Sequence, residues 1–337
     1  MRTTIKDIAE ETGFSITTIS LVLNNKGESI PKVTRDIIKK AAKEMGYRPN
    51  QLAVGLIKKR TKTIGLIISD IRNVFFSTLA KAIEDECHKH DINLILCNSN
   101  DEHKRDIEYI NVLADKRVDG IIYGMSSDSD VDKATESFEL MNDYFLPFVM
   151  VDRYIDSNMY FSVSTDHKYG GYLATKHLIE QGYERIGCVT GPIYLKDSID
   201  RLEGYKCALE EEKLMYDDSI IVEGDYTVES GIKAMEFLNG KDISAVFAFN
   251  DMAAFGVYNY AKKNNISIPK DLALVGYDDI FFSEILETPL TTIHQPIDKI
   301  GTLSVKILLL LIRGNKLRKK NYLLKPYLTI RKSSGIK

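Results

Sequence analysis

The residues with chemistry to offer are charged, amide and aromatic side chains set just after short apolar runs. Asp70 follows the run over 64–69 and precedes Phe75 and Phe76; Asp152 and Arg153 close the run that begins at Phe148; Asn250 and Asp251 follow the run from Ala245; Asp278 and Asp279 follow the run over 273–277. A carboxylate accepts hydrogen bonds, a guanidinium donates them through a planar fork, and an aromatic face stacks, so such a set suits the holding of a polar small molecule. Covalent chemistry has no such support. His294 and Gln295 stand without a nucleophile beside them and read as structure. No P-loop and no glycine-rich dinucleotide fingerprint follows the first run, where Asp70-Ile71-Arg72-Asn73-Val74-Phe75-Phe76 stands instead. Cys87, Cys97, Cys188 and Cys207 show neither CxxC spacing nor a histidine cluster at metal-ligand intervals, so reduced, mostly buried thiols and no metal or cofactor are expected.

Strands are needed to present these groups. From Ile64 onward short β-rich runs alternate with amphipathic helical stretches, as in parallel βαβ units. Strands are expected over 64–69, 93–97, 120–123 and 148–152, with helices over 75–90, 104–116 and 132–143 between them. A second series of the same design has helices over 167–181, 198–213, 228–239 and 251–264 and strands over 186–190, 219–223, 245–250 and 273–277. Two doubly wound halves of this kind bind ligands at the carboxyl ends of their strands, in a cleft between lobes. Asp251 reads instead as a helix N-terminal carboxylate beside the dipole.

A different pattern precedes them. Thr4 can cap a helix, with Asp7 closing a capping-box-like pair and Ile5, Ile8 and Ala9 on one face, and Gly13 ends it. Ser15 can cap a second helix in which Ile19, Val22 and Leu23 cluster on one side, opposite Thr17, Leu21 and Asn24. A third, from about 32 to 45, closes the bundle, and two short helices joined by a glycine-containing turn form a helix-turn-helix whose second helix enters the major groove. Charge segregates with this head. Residues 1–60 hold 12 Lys+Arg and 6 Asp+Glu, a balance of +6; of the chain's 45 and 48, that leaves 33 against 42, or −9, for the rest. A basic head approaches phosphates and an acidic body is repelled by them, which suits contact with nucleic acid at one end. Residues 49–60 form a linker too short to hold a helix alone, with Gly55 costing about 1 kcal/mol against Ala. The 337 residues, 44% hydrophobic, have the composition of a globular protein with a small domain and one large or two medium ones. The N-terminus lacks the apolar stretch of a signal peptide and the run over 307–312 is too short to span a bilayer, so a cytoplasmic, non-membrane protein is expected.

On Thr4-Ile5-Lys6-Asp7-Ile8-Ala9, Thr18-Ile19-Ser20, Asn24, Thr34-Arg35, Gly46-Tyr47-Arg48-Pro49-Asn50 and Leu56, and on the later motifs, the whole chain resembles the LacI/GalR family of bacterial transcription regulators. The resemblance implies an N-terminal all-α helix-turn-helix head over 1–48 and a hinge helix or linker over 49–60. Beyond them it implies an α/β core of two doubly wound parallel-sheet lobes of the periplasmic-binding-protein-like type I. The first lobe is expected over 61–160 and 293–321 and the second over 161–292 and 322–337. In the tail, residues 291–296 should cross back to the first lobe, a helix over 297–313 should pack on it, and 323–331 should return strands to the second.

Site residues follow from the same resemblance. It implies phosphate contacts from Thr18, Asn24, Thr34, Tyr47 and Asn50, base-edge contacts from Ile16, Thr17 and Leu21, and a minor-groove wedge at Leu56. Leu21 stands where a polar residue is common, which shifts preference from guanine toward thymine methyls. In the cleft it implies Asp70, Phe75 and Phe76 in the first ligand loop, with Asp152, Asn250, Arg201 as the gripping fork, Tyr226 as a ring against the ligand and Asp278 as acceptor. Asp152, Arg201 and Asp278 also fit an ion network bracing the lobes, and Phe75 and Phe76 also fit the core. His167 and Tyr183 depart from the family pattern at scaffold positions and are assigned no function. The function implied is that of a homodimeric regulator, most often a repressor, on a palindromic double-stranded operator. Its affinity for DNA would be set allosterically by a small effector, a sugar or sugar derivative. The alternatives are a global regulator with a phosphoprotein corepressor, and a solute receptor, which the basic head opposes.

Overall fold

The computed structural model describes residues 3–47, 60–155 and 159–335. The chain divides into two compact units, Met1–Thr61 and Lys62–Lys337.

In the first unit, α1 (Ile5–Thr12), α2 (Ile16–Leu23) and α3 (Lys32–Glu44) form the bundle that the apolar spacing requires. The Asp7 carboxylate accepts the Thr4 backbone N–H at 2.7 Å while the Thr4 hydroxyl oxygen accepts the Asp7 N–H, a reciprocal cap that satisfies two otherwise orphaned donors. Gly13 ends α1 at φ +71°, a conformation costly for a residue with a Cβ, and Ser15 caps α2 by accepting the Thr18 N–H at 3.1 Å. Ile8, Ile19, Val22, Ile38 and Ala42 make the core, with Ile5, Ala9 and Leu23 packed against it.

The second unit holds two six-stranded sheets. The first runs β11 (Asn321–Leu324), β5 (Ser162–Thr165), β4 (Phe148–Val151), β3 (Ile121–Tyr123), β1 (Thr63–Ile68), β2 (Asn93–Asn98), all parallel. The other runs β12 (Tyr327–Thr329), β10 (Thr291–His294), β9 (Ala273–Asp278), β8 (Ala245–Ala248), β6 (Ile186–Val189), β7 (Ile221–Val222), parallel except where β12 opposes β10. Central strands are buried on both faces, hence their unbroken apolar runs. Alternation still sorts them. Leu66 and Ile68 pack with Leu79 and Ile83 of α4 (Val74–Lys89) and Ile300 and Leu308 of α12 (Ile297–Ile312). Ile67 points the other way, to Ile110 of α5 (His103–Asp115) and Phe138 of α6 (Val131–Asp143). On the second sheet α7 (His167–Glu180) and α8 (Lys196–Glu211) cover one face, α9 (Val228–Leu238) and α10 (Asp251–Lys263) the other. Helices α7 and α8 touch through glycines. A Cβ on Gly204 would sit 2.0 Å from the Lys168 carbonyl oxygen, and one on Gly171 2.2 Å from that of Arg201.

The points where the chain changes sheet differ from those expected. Residues 162–165 form a strand of the first sheet, with Met150 N–H donating to Phe161 C=O at 2.8 Å and Asp152 N–H to Val163 C=O at 3.1 Å, so the first crossing lies after Thr165 and not at 160. Residues 291–294 pair with β9, which moves the second crossing beyond His294. Residues 321–324 extend the first sheet, and only β12 returns to the second, against the expectation for 323–331. Expected strand 219–223 is reduced to Ile221–Val222 behind a single 3-10 turn, Asp218–Ile220. Strands of two to four residues carry too little periodicity to announce which sheet they join. The four cysteines are free thiols, and no helix among the described residues is long and apolar enough to cross a membrane.

Candidate functional site: a polar cleft between two sheets

The carboxyl ends of the strands of both sheets converge on a cleft lined by Asn73, Phe75, Phe76, Asp152, Arg153, Asp197, Arg201, Tyr226, Asn250, Asp278 and Gln295. From the first sheet come Asp152 and Arg153, after β4, and the two phenylalanines that open α4, ring centroids 5.2 Å apart edge to face. Arg153 is anchored through one nitrogen: Nη1 donates to Ser69 Oγ at 2.8 Å, Met125 C=O at 2.9 Å and Asp101 Oδ1 at 2.9 Å. From the second sheet α8 supplies Asp197 and, one turn on, Arg201, whose Nη1 donates to the Phe249 carbonyl at 2.5 Å and whose guanidinium lies 4.0 Å above the Tyr277 ring. Tyr226 stands between the two arginines, 5.9 Å from Arg153 and 5.6 Å from Arg201, and donates its hydroxyl proton to Asp197 Oδ2. Asp278, at the end of β9, accepts from Gln295 Nε2 at 2.8 Å, and Gln295 Oε1 accepts from the Thr165 hydroxyl at 2.5 Å.

Burial makes ionisation costly for two of the cleft carboxyls, Asp152 and Asp278. Burial first, and then the Asp197 carboxylate, push the Asp152 carboxyl up to about 7 against the pull of Arg153 and Arg201. Burial pushes Asp278 well above the usual carboxylate range, with Arg201 opposing. Asp152, Tyr226 and Asp278 also hold positive φ, at +64°, +66° and +117°. Strain of this kind in non-glycine residues persists only where the surroundings over-determine it, and it gathers at ligand sites. Asp197 Oδ1 and Arg153 Nε, both buried, have no hydrogen-bond partner among the described residues. Buried polar atoms are rarely left so, and a polar ligand in the cleft would supply the missing partners.

Of the cleft residues expected, Phe75, Phe76, Asp152, Arg201, Tyr226, Asn250 and Asp278 are brought together. Asn250 is nonetheless committed to the scaffold: its Oδ1 caps α10 through Ala253 N–H and its Nδ2 donates to the Tyr226 carbonyl. Asp70 is not part of the cleft. It turns to its loop neighbour Arg72, accepting from Nε at 3.0 Å and Nη2 at 2.7 Å, and Asn73 lines the cleft instead. Gln295, read from sequence as structure alone, lines it as well. Asp197 was missed, although an acid four residues before Arg201 on a helix shares its face. Asp251 is structural as expected, accepting from Ile280 N–H, Ser283 and Thr292.

In the head Ile16, Thr17, Leu21 and Asn24 are exposed along one side of α2, opposite its buried Ile19 and Val22. Thr18 is half-buried with its hydroxyl 2.8 Å from Ser15 Oγ, and Asn24 Nδ2 donates to the Ser20 carbonyl, also at 2.8 Å. Thr34 and Tyr47 are partly buried, Tyr47 against the head core. Asn50 and Leu56 lie outside the described residues.

A helix-turn-helix unit with an exposed second-helix face, carried on a two-lobed body with a polar cleft, defines the class of ligand-responsive DNA-binding regulators. Comparison with known proteins narrows it. Residues 4–50 match the bacterial regulatory proteins of the lacI family, and residues 61–326 match the periplasmic binding proteins and sugar binding domain of LacI family. The HTH-type transcriptional repressor PurR of Vibrio atlanticus (strain LGP32) is 35% identical over 327 residues, 96% of each chain. The Lac repressor dimer bound to operator and the anti-inducer ONPF aligns at TM-score 0.89 and 26% identity over 100% of both chains. A LacI family regulator from Enterococcus faecium with bound ribose aligns at TM-score 0.72 and 34% identity, covering 81% of this chain and 98% of its own. The chain belongs to the LacI family; it is a DNA-binding transcriptional repressor with an effector-binding body.

Proposed function

We propose that the effector is a small polyol of monosaccharide size, bound between the two sheets, and that it sets the protein's affinity for a palindromic operator. The observation that carries this reading is the pair of buried, unpartnered atoms Asp197 Oδ1 and Arg153 Nε in a cleft that also holds Asp152, Arg201 and Asp278. Sugar hydroxyls both donate and accept, so one ligand can satisfy carboxyl and guanidinium groups together, while Phe75 and Phe76 offer apolar faces to ring carbons. A nucleobase would meet more charge than its edge can pair. The ribose held by the 34% identical relative supports a pentose.

The regulator works as a homodimer in the cytoplasm, with Ile16, Thr17 and Leu21 toward base edges, Thr18, Asn24, Thr34, Tyr47 and Asn50 toward phosphates, and Leu56 in the minor groove. Support for pairing comes from the exposed apolar cluster Phe281, Phe282 and Ile285 in and beside the short helix α11 (Phe282–Ile285), since a patch of this kind marks a contact surface. The test is an operator titration with D-ribose, other monosaccharides and a purine base. Binding should weaken steeply with salt, by about 0.9 in log-log slope per phosphate neutralised. Arg201→Ala should need roughly ten- to a hundredfold more sugar for the same response. An Arg201→Ala protein responding at the parent's concentration would remove the cleft from the mechanism.

A further inference from the structure

His167 opens α7 directly after the first crossing between the sheets and is fully buried, yet it does not line the cleft. Its ring stands between the two lobes' polar groups. Arg201 Nε lies 3.3 Å and Nη2 3.2 Å from His167 Nδ1, the Tyr277 hydroxyl lies 3.0 Å from the same atom, and Ser164 Oγ lies 3.3 Å from Nε2. Ser164 in turn donates its proton to the Asp152 carbonyl at 2.6 Å. A guanidinium can only donate, so Nδ1 must accept and the ring proton must sit on Nε2. Every bond then points one way, from Arg201 in the second lobe through His167 and Ser164 to Asp152 at the strand end of the first. Burial first, and then Arg201 and Lys196, hold the ring neutral, with its pKa well below the usual histidine value.

We propose that His167 is the positioning residue of the effector cleft: its Nδ1 takes the Nε–Nη2 edge of Arg201 and so leaves the remaining Nη protons to face the ligand, and its Nε2–H ties that guanidinium to the Asp152 strand end of the opposite lobe. The inference rests on the cleft being the effector site. A merely space-filling histidine would tolerate either tautomer; this one would not. Asparagine discriminates further, because its Oδ1 takes the place of Nδ1 and keeps the Arg201 contact, whereas leucine fills the volume and loses it.

The test begins without ligand, on the ¹⁵N-labelled full-length protein, with His167 assigned by His167→Asn and Arg201 by Arg201→Lys. The expected spectrum shows an unprotonated Nδ1 and a protonated Nε2, unchanged from about pH 5 to about pH 9. The Arg201 Nε–H should be protected from exchange in the parent and in His167→Asn, and should exchange at least about tenfold faster in His167→Leu. With D-ribose as the probe, affinity should stay within about threefold in His167→Asn and fall about tenfold or more in His167→Leu. A ring that titrates near its ordinary value, a proton on Nδ1, or equal Arg201 protection in His167→Leu overturns the proposal. Should the parent take no ribose, the pentose reading of the effector fails, while the ligand-free spectra still decide on His167.

Discussion

Replacing Asp152 by asparagine should stabilise the ligand-free protein at high pH and do nothing of the kind in acid. The Asp152 carboxyl is 6% exposed and is pushed up to about 7 by burial and then by Asp197. In the unfolded chain it returns to about 3.9. Because the folded value is the higher one, the folded state holds the proton more tightly, so its contribution is fully present below about pH 3.9 and is lost as pH rises through about 7. At about 1.36 kcal/mol for each pH unit of that window, the loss comes to roughly 4 kcal/mol. Asparagine has the same shape and never ionises. The stability difference between Asp152→Asn and the parent should therefore grow by roughly 4 kcal/mol between about pH 4 and about pH 8. Any constant offset from exchanging a hydroxyl for an amide cancels between pH values. Urea unfolding followed by circular dichroism at four pH values would measure it, with the head common to both proteins. A difference that does not change with pH would refute the reasoning, since it would mean that the empty cleft holds no strained carboxyl at Asp152.

Ligand hydroxyls that donate to Asp152 and Asp278 favour their ionised forms, so D-ribose binding near pH 6 should release protons; calorimetry in buffers of different ionisation enthalpy would detect this, and identical heats would speak against it. Gly204→Ala places a Cβ 2.0 Å from the Lys168 carbonyl oxygen, which should force α7 and α8 apart at about 1–3 kcal/mol and lower the melting temperature by several degrees. An unchanged melting temperature would mean the helices are not so close. Tyr194, after β6, donates its hydroxyl proton to the Ser127 carbonyl of the first lobe at 2.6 Å. Tyr194→Phe should remove about 0.5–1.5 kcal/mol from the closed cleft and speed sugar release by up to about tenfold; stopped-flow dissociation at the parental rate would deny the latch any role.

What the sequence determined alone was local. Thr4, Asp7, Gly13 and Ser15 announce the head because caps and periodicity act within a few residues, and the alternation of apolar runs with amphipathic stretches announces two doubly wound sheets. Asp152, Arg201 and Asp278 were legible because strand ends and one family motif mark them. Tertiary structure decided which groups meet. Asp70 and Asn73 share one loop, and only the packed loop shows that Asp70 is taken by Arg72 while Asn73 enters the cleft. His167 and Gln295 read as scaffold from sequence, and the partners that say otherwise, Arg201 and Tyr277 for His167 and Thr165 for Gln295, come from elements far apart in the chain. The crossings themselves escaped local reading for the same reason. Residues 321–324 and 327–329 are near neighbours of similar composition, yet one joins β5 in parallel and the other opposes β10. A short strand's own residues specify which faces it buries, but its hydrogen-bonding partner is set by whichever sheet edge the rest of the fold leaves open beside it.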